Sequence, residues 1–207
     1  MKKTIPMVLF WGAVWGICEA TIGYALHFAA VALPGLPGAL MFPIGFWCMV
    51  QVRKVTGKDY APLGIAAVAA SIKLVDFLMP GYDAIRVVNP ALSILLEGLA
   101  VVAVYTVLTA PGRMRDYLKA MGSGVLWRVL FAAYLFAISL FGLPAGLVTS
   151  GIGTLLRFVL LESFYNSLVI CAGLWLAPKL PVWKPLPVKP IMALSAFLLA
   201  IGLQVLL

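Results

Sequence analysis

The sequence predicts an all-α, polytopic membrane bundle of six or seven transmembrane helices with a cytoplasmic N-terminus. Three observations carry that expectation. Of the 207 residues, 64% are apolar and only 11% charged, with a mean hydropathy of +1.09, whereas soluble domains run at about half and about a quarter. Seven apolar stretches recur along the chain, and basic residues gather in alternate links between them. Such a chain has too little polar surface to cover itself in water, which argues against a soluble enzyme, a disordered segment or a nucleic-acid reader. The excess of 15 Lys and Arg over 7 Asp and Glu, a net charge of +8, is then a topology signal before it is a partner signal.

The chain reads as one integral domain over 1–207, with helices expected at 5–33, 38–52, 61–79, 88–110, 124–148, 152–177 and 191–207. A hydrocarbon core of about 30 Å takes about 20 helical residues, so 38–52 is short, and Pro43 within it marks a tilted or broken helix. Lys2 and Lys3 precede the first run, while Arg53, Lys54 and Lys58 follow the second. Both clusters belong in the cytoplasm, so two crossings lie between them. The 80–89 link holds Arg86 with Asp83, and the 112–122 link holds Arg113, Arg115 and Lys119. The 142–151 link is uncharged, and 178–190 holds Lys179, Lys184 and Lys189. This alternation gives seven crossings of the cytoplasmic (inner) membrane with the C-terminus outside. A six-helix core with a re-entrant or interfacial tail is the alternative, because 191–207 has only 17 residues.

Pro and Gly in 33–38 and 142–146 mark tight external turns. The prolines of 178–190, interleaved with lysines and Trp183, mark an extended strap at the membrane surface. Lys2, Lys3 and the following apolar run imitate a secretory signal, but the run resumes after Glu19, so no cleavage is expected. Cys18, Cys48 and Cys171 lie far apart inside apolar runs and read as small apolar fillers rather than zinc ligands or a redox pair.

Ionisable groups at membrane depth are costly and mark either a site or a structural pair. At 1.5 Å per residue, Glu19 lies roughly 21 Å outward from Ile5, with His27 near the outer end of the same helix. Lys73 and Asp76 lie roughly 18 and 22 Å outward from Ala61, and Glu97 roughly 13 Å inward from Val88. Arg157 and Glu162 fall roughly 7 and 15 Å inward from Ile152. These seven groups are expected to share one slab between the midplane and the outer surface, lining an aqueous cavity open to the outside. His27 is about 80° from Glu19 around an ideal helix, so the two can line one wall. Lys73 and Asp76, spaced i,i+3, can pair directly, as a helix clamp or within a site. Arg157 and Glu162, about 140° apart, are expected to seek partners on other helices.

Four acids, Glu19, Asp76, Glu97 and Glu162, face two fixed bases, Lys73 and Arg157. Mixed signs suit a zwitterionic or multiply functional organic solute, and the aromatics Trp11, Trp15, Tyr24, Phe28, Trp47, Tyr82 and Tyr165 can stack on a flat ring or anchor at the interface. No GxSxG, P-loop or HExxH is present, and a single histidine cannot supply bis-histidine haem ligation. No catalytic residue, cofactor or metal is therefore expected.

Gly12, Gly16 and Ala20 follow one another at four-residue spacing, a small-residue face that lets another helix approach closely. About 200 residues, an N-terminus inside, this first helix, a Pro/Gly loop after it and a polar outward-facing pocket together resemble the substrate-binding S component of an energy-coupling factor transporter. The resemblance is one of architecture. It implies uptake of a vitamin-like solute, docking of a transmembrane partner on Gly12, Gly16 and Ala20, and an ATPase partner to supply energy. The site residues of this reading are Glu19, Tyr24, His27, Lys73, Asp76, Glu97, Arg157 and Glu162. Two other readings stand beside it: a non-catalytic subunit of a larger membrane complex, with buried charges as assembly contacts, and a small membrane enzyme using Glu19, His27 and Glu97.

Overall fold

The computed structural model describes residues 4–29, 36–81, 83–176 and 187–207, and for His27 the backbone alone. Tyr82, the turn glycine Gly35 and most of the Pro-rich strap, with Lys179, Trp183 and Lys184, lie outside the described residues.

The first membrane helix runs as α1 (Thr4–Cys18), a π-helical segment (Glu19–Gly23) and α2 (Tyr24–Ala29). The second is α3 (Leu36–Thr56) and the third α4 (Ala61–Lys73), which tightens into a 3-10 segment at Leu74–Leu78. Then come α5 (Ala84–Val107) and α6 (Arg113–Ser139). The short α7 (Gly146–Thr149) and α8 (Ile152–Leu156) lead through a second π segment, Arg157–Leu161, into α9 (Glu162–Leu176). The last is α10 (Pro190–Leu206). Among the described residues, five helical stretches are long and apolar enough to cross a membrane: Thr4–Leu26, Ala61–Leu78, Ala84–Val107, Arg113–Ser139 and Ile152–Leu176. Large apolar side chains such as Phe136, Leu160, Phe164, Leu168 and Leu198 project outward, as lipid solvation allows.

Two expected boundaries are corrected. The 38–52 run is neither short nor broken: α3 is continuous for 21 residues, about 31 Å, with Pro43 inside it. In hydrocarbon no water competes for the backbone groups that a proline frees, so neighbouring helices hold the helix intact. The basic 112–122 link is not a loop but the first three turns of α6, which ends nine residues before the expected 148. Its end is set by Gly142 at φ 72°, where Leu143 N–H donates to the Ile138 carbonyl (3.2 Å) and Gly142 N–H to that of Ser139 (3.0 Å). This is a Schellman closure, and only glycine adopts that φ without strain.

Glycines set the interior. A Cβ added to Gly64 would sit 3.1 Å from Val8, one at Gly12 2.6 Å from Val68, and one at Gly16 2.5 Å from Ile72. The constant offset of 56 residues means that α1 and α4 run parallel in close contact, as two helices that cross in the same direction must. Gly98 brings α5 against Ala66 of α4, and Gly45 of α3 seats the fully buried Trp15 ring. Helices α1, α3, α4, α5, α6 and α9 form the core, and α10 packs on α1 through Ala13, Ile17, Ala196, Phe197 and Ala200.

The proposed docking face is thereby corrected. Gly12 and Gly16 are buried against α4, and Ala20 is also buried, so this face is consumed inside the chain rather than offered to a partner.

A charged layer enclosed by the bundle as candidate functional site

Three departures from α-helical geometry fall in the half of the molecule opposite the basic end. Extending the α1/α4 offset places the π segment Glu19–Gly23 level with the 3-10 segment Leu74–Leu78. The third, Arg157–Leu161, lies within the first turns of the α8–α9 helix. Each carries or adjoins an expected site residue: Glu19, Asp76, and Arg157 with Glu162. Short π segments inside helices cluster at functional sites, because the extra residue re-aims side chains.

That extra residue also turns everything beyond it by about 100°. The wall expected from Glu19 and His27 assumed an unbroken α-helix, so it does not follow here; the His27 side chain is outside the described residues. Tyr24 is 45% exposed and stacks edge-to-face on the exposed Phe28 at 5.1 Å. It belongs to the outer surface of the helix and not to the buried layer.

The charges fall into two connected groups. In the first, the Lys73 ammonium lies 3.3 Å from Asp76 Oδ2, while Gln204 Nε2 donates to Asp76 Oδ1 at 2.7 Å. Both Asp76 oxygens are engaged, and the contact ties the end of α10 to the end of α4. This trio has the form of a clamp. Glu19 accepts a 3.0 Å hydrogen bond from Trp15 Nε1 and lies within electrostatic reach of Lys73.

The second group centres on Arg128, which is fully buried. Its Nη1 donates to Asn166 Oδ1, and its Nη2 lies 3.7 Å from Glu162 Oε2, longer than a hydrogen bond. Its guanidinium carbon sits 4.5 Å from the Trp127 ring centroid and 5.2 Å from that of Phe158, so aromatic faces replace part of its lost hydration. Asn166 Nδ2 donates to the carbonyls of Gly38 (2.9 Å) and Ala39 (2.7 Å), fixing the start of α3 to α9. Gly38 lies directly against this group, since a Cβ there would touch Arg128 Nη2 at 3.4 Å. Glu97 joins from deeper: it stands 13 residues into α5, about 20 Å, and within electrostatic reach of both Arg128 and Glu19. Arg157 is on the exposed side, close enough for its charge to bear on Glu162.

Glu19, Lys73, Asp76, Glu97, Arg157 and Glu162 are thus linked into one chain of charges. The centre of the layer is buried, at Arg128, Asn166, Asp76 and Glu97, and it reaches the surface at the exposed Arg157. Three buried atoms in it, Arg128 Nε, Arg128 Nη2 and Glu97 Oε2, have no hydrogen-bond partner among the described residues. An orphaned polar atom in hydrocarbon costs several kcal/mol, roughly, and calls for an explanation.

Sequence reasoning missed Arg128, Asn166 and Gln204. Starting the helix at 124 put Arg128 one turn from the basic end; starting it at Arg113 puts it 15 residues in, about 22 Å. The two amides were passed over because only ionisable groups were sought, although each interrupts an apolar run. Among the described residues no group of three His, Cys, Asp or Glu side chains is arranged to hold a metal.

Fold and site together define a multi-pass helical membrane protein that encloses a layer of charged and amide side chains. Comparison with known protein families, curated proteins and solved structures finds no match for the chain.

Proposed function

We propose that this protein is a membrane-embedded binding and translocation subunit for a small, zwitterionic or multiply functional organic solute. The observation that carries the reading is a pair of unmet needs on buried groups within electrostatic reach of each other. Among the described residues, two guanidinium nitrogens of Arg128 have no hydrogen-bond acceptor and an oxygen of Glu97 has no donor. A solute bearing a carboxylate and an ammonium group would answer both. The non-α segments at Glu19–Gly23, Leu74–Leu78 and Arg157–Leu161 support it, since they supply points at which helices can bend to admit the solute. Lys73, Asp76 and Gln204 act as a clamp in this scheme, not as ligand contacts.

The chain has no nucleotide-binding motif, so energised uptake would need ATPase and transmembrane partner chains, as the likeness to energy-coupling factor S components implies. Those partners would dock elsewhere than on the Gly12 and Gly16 face. The reading as a non-catalytic subunit with charges kept for assembly has less support, because the buried charges meet one another within the chain. Native mass spectrometry of the protein purified in mild detergent tests the proposal. A retained small molecule with acidic and basic groups, lost from Glu97→Gln, is expected. Wild-type protein that carries no such molecule, and whose melting temperature no zwitterionic solute raises, would overturn it.

A further inference from the structure

A cavity of about 90 Å³ opens at the other end of the bundle, between the ends of α3 and α5, the start of α6 and the end of α9. It is lined by Arg53, Lys54, Lys119, Tyr105 and Asp116 over an apolar floor of Val50 and Leu174. Two features make it a formed site. Tyr105 is buried and carries cations at two points: the Arg53 guanidinium carbon lies 4.6 Å and the Lys119 ammonium 5.1 Å from its ring centroid. Lys119 is itself buried, held by the Ala110 carbonyl at 3.3 Å and by Asp116 at 3.6 Å. Arg53 is braced from outside by Asp59 at 2.6 Å. Even with Asp59 and Asp116 counted, the three cations leave a local surplus of positive charge.

We infer that this cavity holds a phosphate group, that of an anionic phospholipid headgroup or free inorganic phosphate. Arg53 and Lys119 are held in place by Tyr105, Asp59, Asp116 and the Ala110 carbonyl, Lys54 adds an exposed cation at the rim, and the volume suits a single small anion. Basic pockets between transmembrane helices at the positively charged membrane face take anionic headgroups in this way. The inference is independent of the solute site, which lies in the opposite half of the bundle.

Melting curves of the full chain in neutral detergent provide the test, with added phosphatidylglycerol, phosphatidylcholine or inorganic phosphate at matched ionic strength. Phosphatidylglycerol is expected to raise the melting temperature saturably and phosphatidylcholine to leave it unchanged. Stabilisation by inorganic phosphate to the same degree would assign the site to the free anion; stabilisation by phosphatidylglycerol alone assigns it to lipid. Lys54→Gln, at an exposed side chain, is expected to weaken the dependence about fivefold, the effect of one lysine on anionic-lipid binding. Lys119→Gln is expected to do the same if it folds, and Lys58→Gln, outside the cavity, to do nothing. No response to either anion, or equal weakening by Lys58→Gln and Lys54→Gln, would overturn the inference.

Discussion

Arg128 and Glu97 pose the same question at the scale of single residues, since each is buried with polar atoms that have no hydrogen-bond partner among the described residues. If Glu97 serves a ligand, Glu97→Gln keeps its size and spares the fold any cost of burying a carboxylate, so stability is expected to hold or rise. Solute binding is expected to fall by about tenfold or more, about 1.4 kcal/mol, read by isothermal titration beside melting curves. Arg128 serves structure as well. Removing one member of a buried ion pair typically costs about 3–5 kcal/mol, whereas replacing both can be near neutral. Arg128→Met is therefore expected to destabilise the protein in that range, and Glu162→Met added to it to restore part of the loss. Strictly additive losses in unfolding experiments would mean that the 3.7 Å pair does not couple.

At the scale of helices, association in lipid draws on close packing and interhelical hydrogen bonds, because lipid tails are as apolar as leucine. Gly16 illustrates the consequence. Its Cβ would overlap Ile72, so Gly16→Leu is expected to separate α1 from α4 and to lower stability by about 1–3 kcal/mol or more, with binding and fold lost together. Normal melting with selective loss of partner assembly would return this face to a docking role. Gln204 makes the polar counterpart of that contact. Gln204→Leu leaves Asp76 Oδ1 without its donor and is expected to cost about 1–2 kcal/mol and to raise hydrogen exchange in α10 ahead of the other helices.

For the whole molecule the open variable is orientation. Arg53, Lys54, Lys119 and the start of α6 meet at one end, and the Gly142–Gly146 turn lies at the other end of α6. Cysteines placed at the exposed Lys58 and Arg113 are expected to resist an impermeant thiol reagent in intact cells, and one at the exposed Gly146 to react. Lys119 is a poor probe because it is buried. Labelling at 113 with none at 146 would invert the protein in the membrane.

The sequence alone was enough to determine the all-helical membrane class, the seven apolar segments and the gathering of basic residues at one end. These are sums along the chain, fixed by bilayer thickness and by the cost of moving charge through hydrocarbon. It also carried the Lys73–Asp76 pair, because i,i+3 neighbours meet within one helix wherever that helix lies. Tertiary structure alone decided which distant charges face each other and which small-residue face is already used. A π turn at Glu19–Gly23 changes the phase of all that follows, the start of α6 at Arg113 rather than at 124 sets Arg128 about eleven residues deeper in its helix, and Gly12 and Gly16 accept α4 rather than a partner. Rotation and register of helices in lipid are set by individual methyl-sized gaps and single hydrogen bonds, and no one-dimensional hydropathy pattern encodes those.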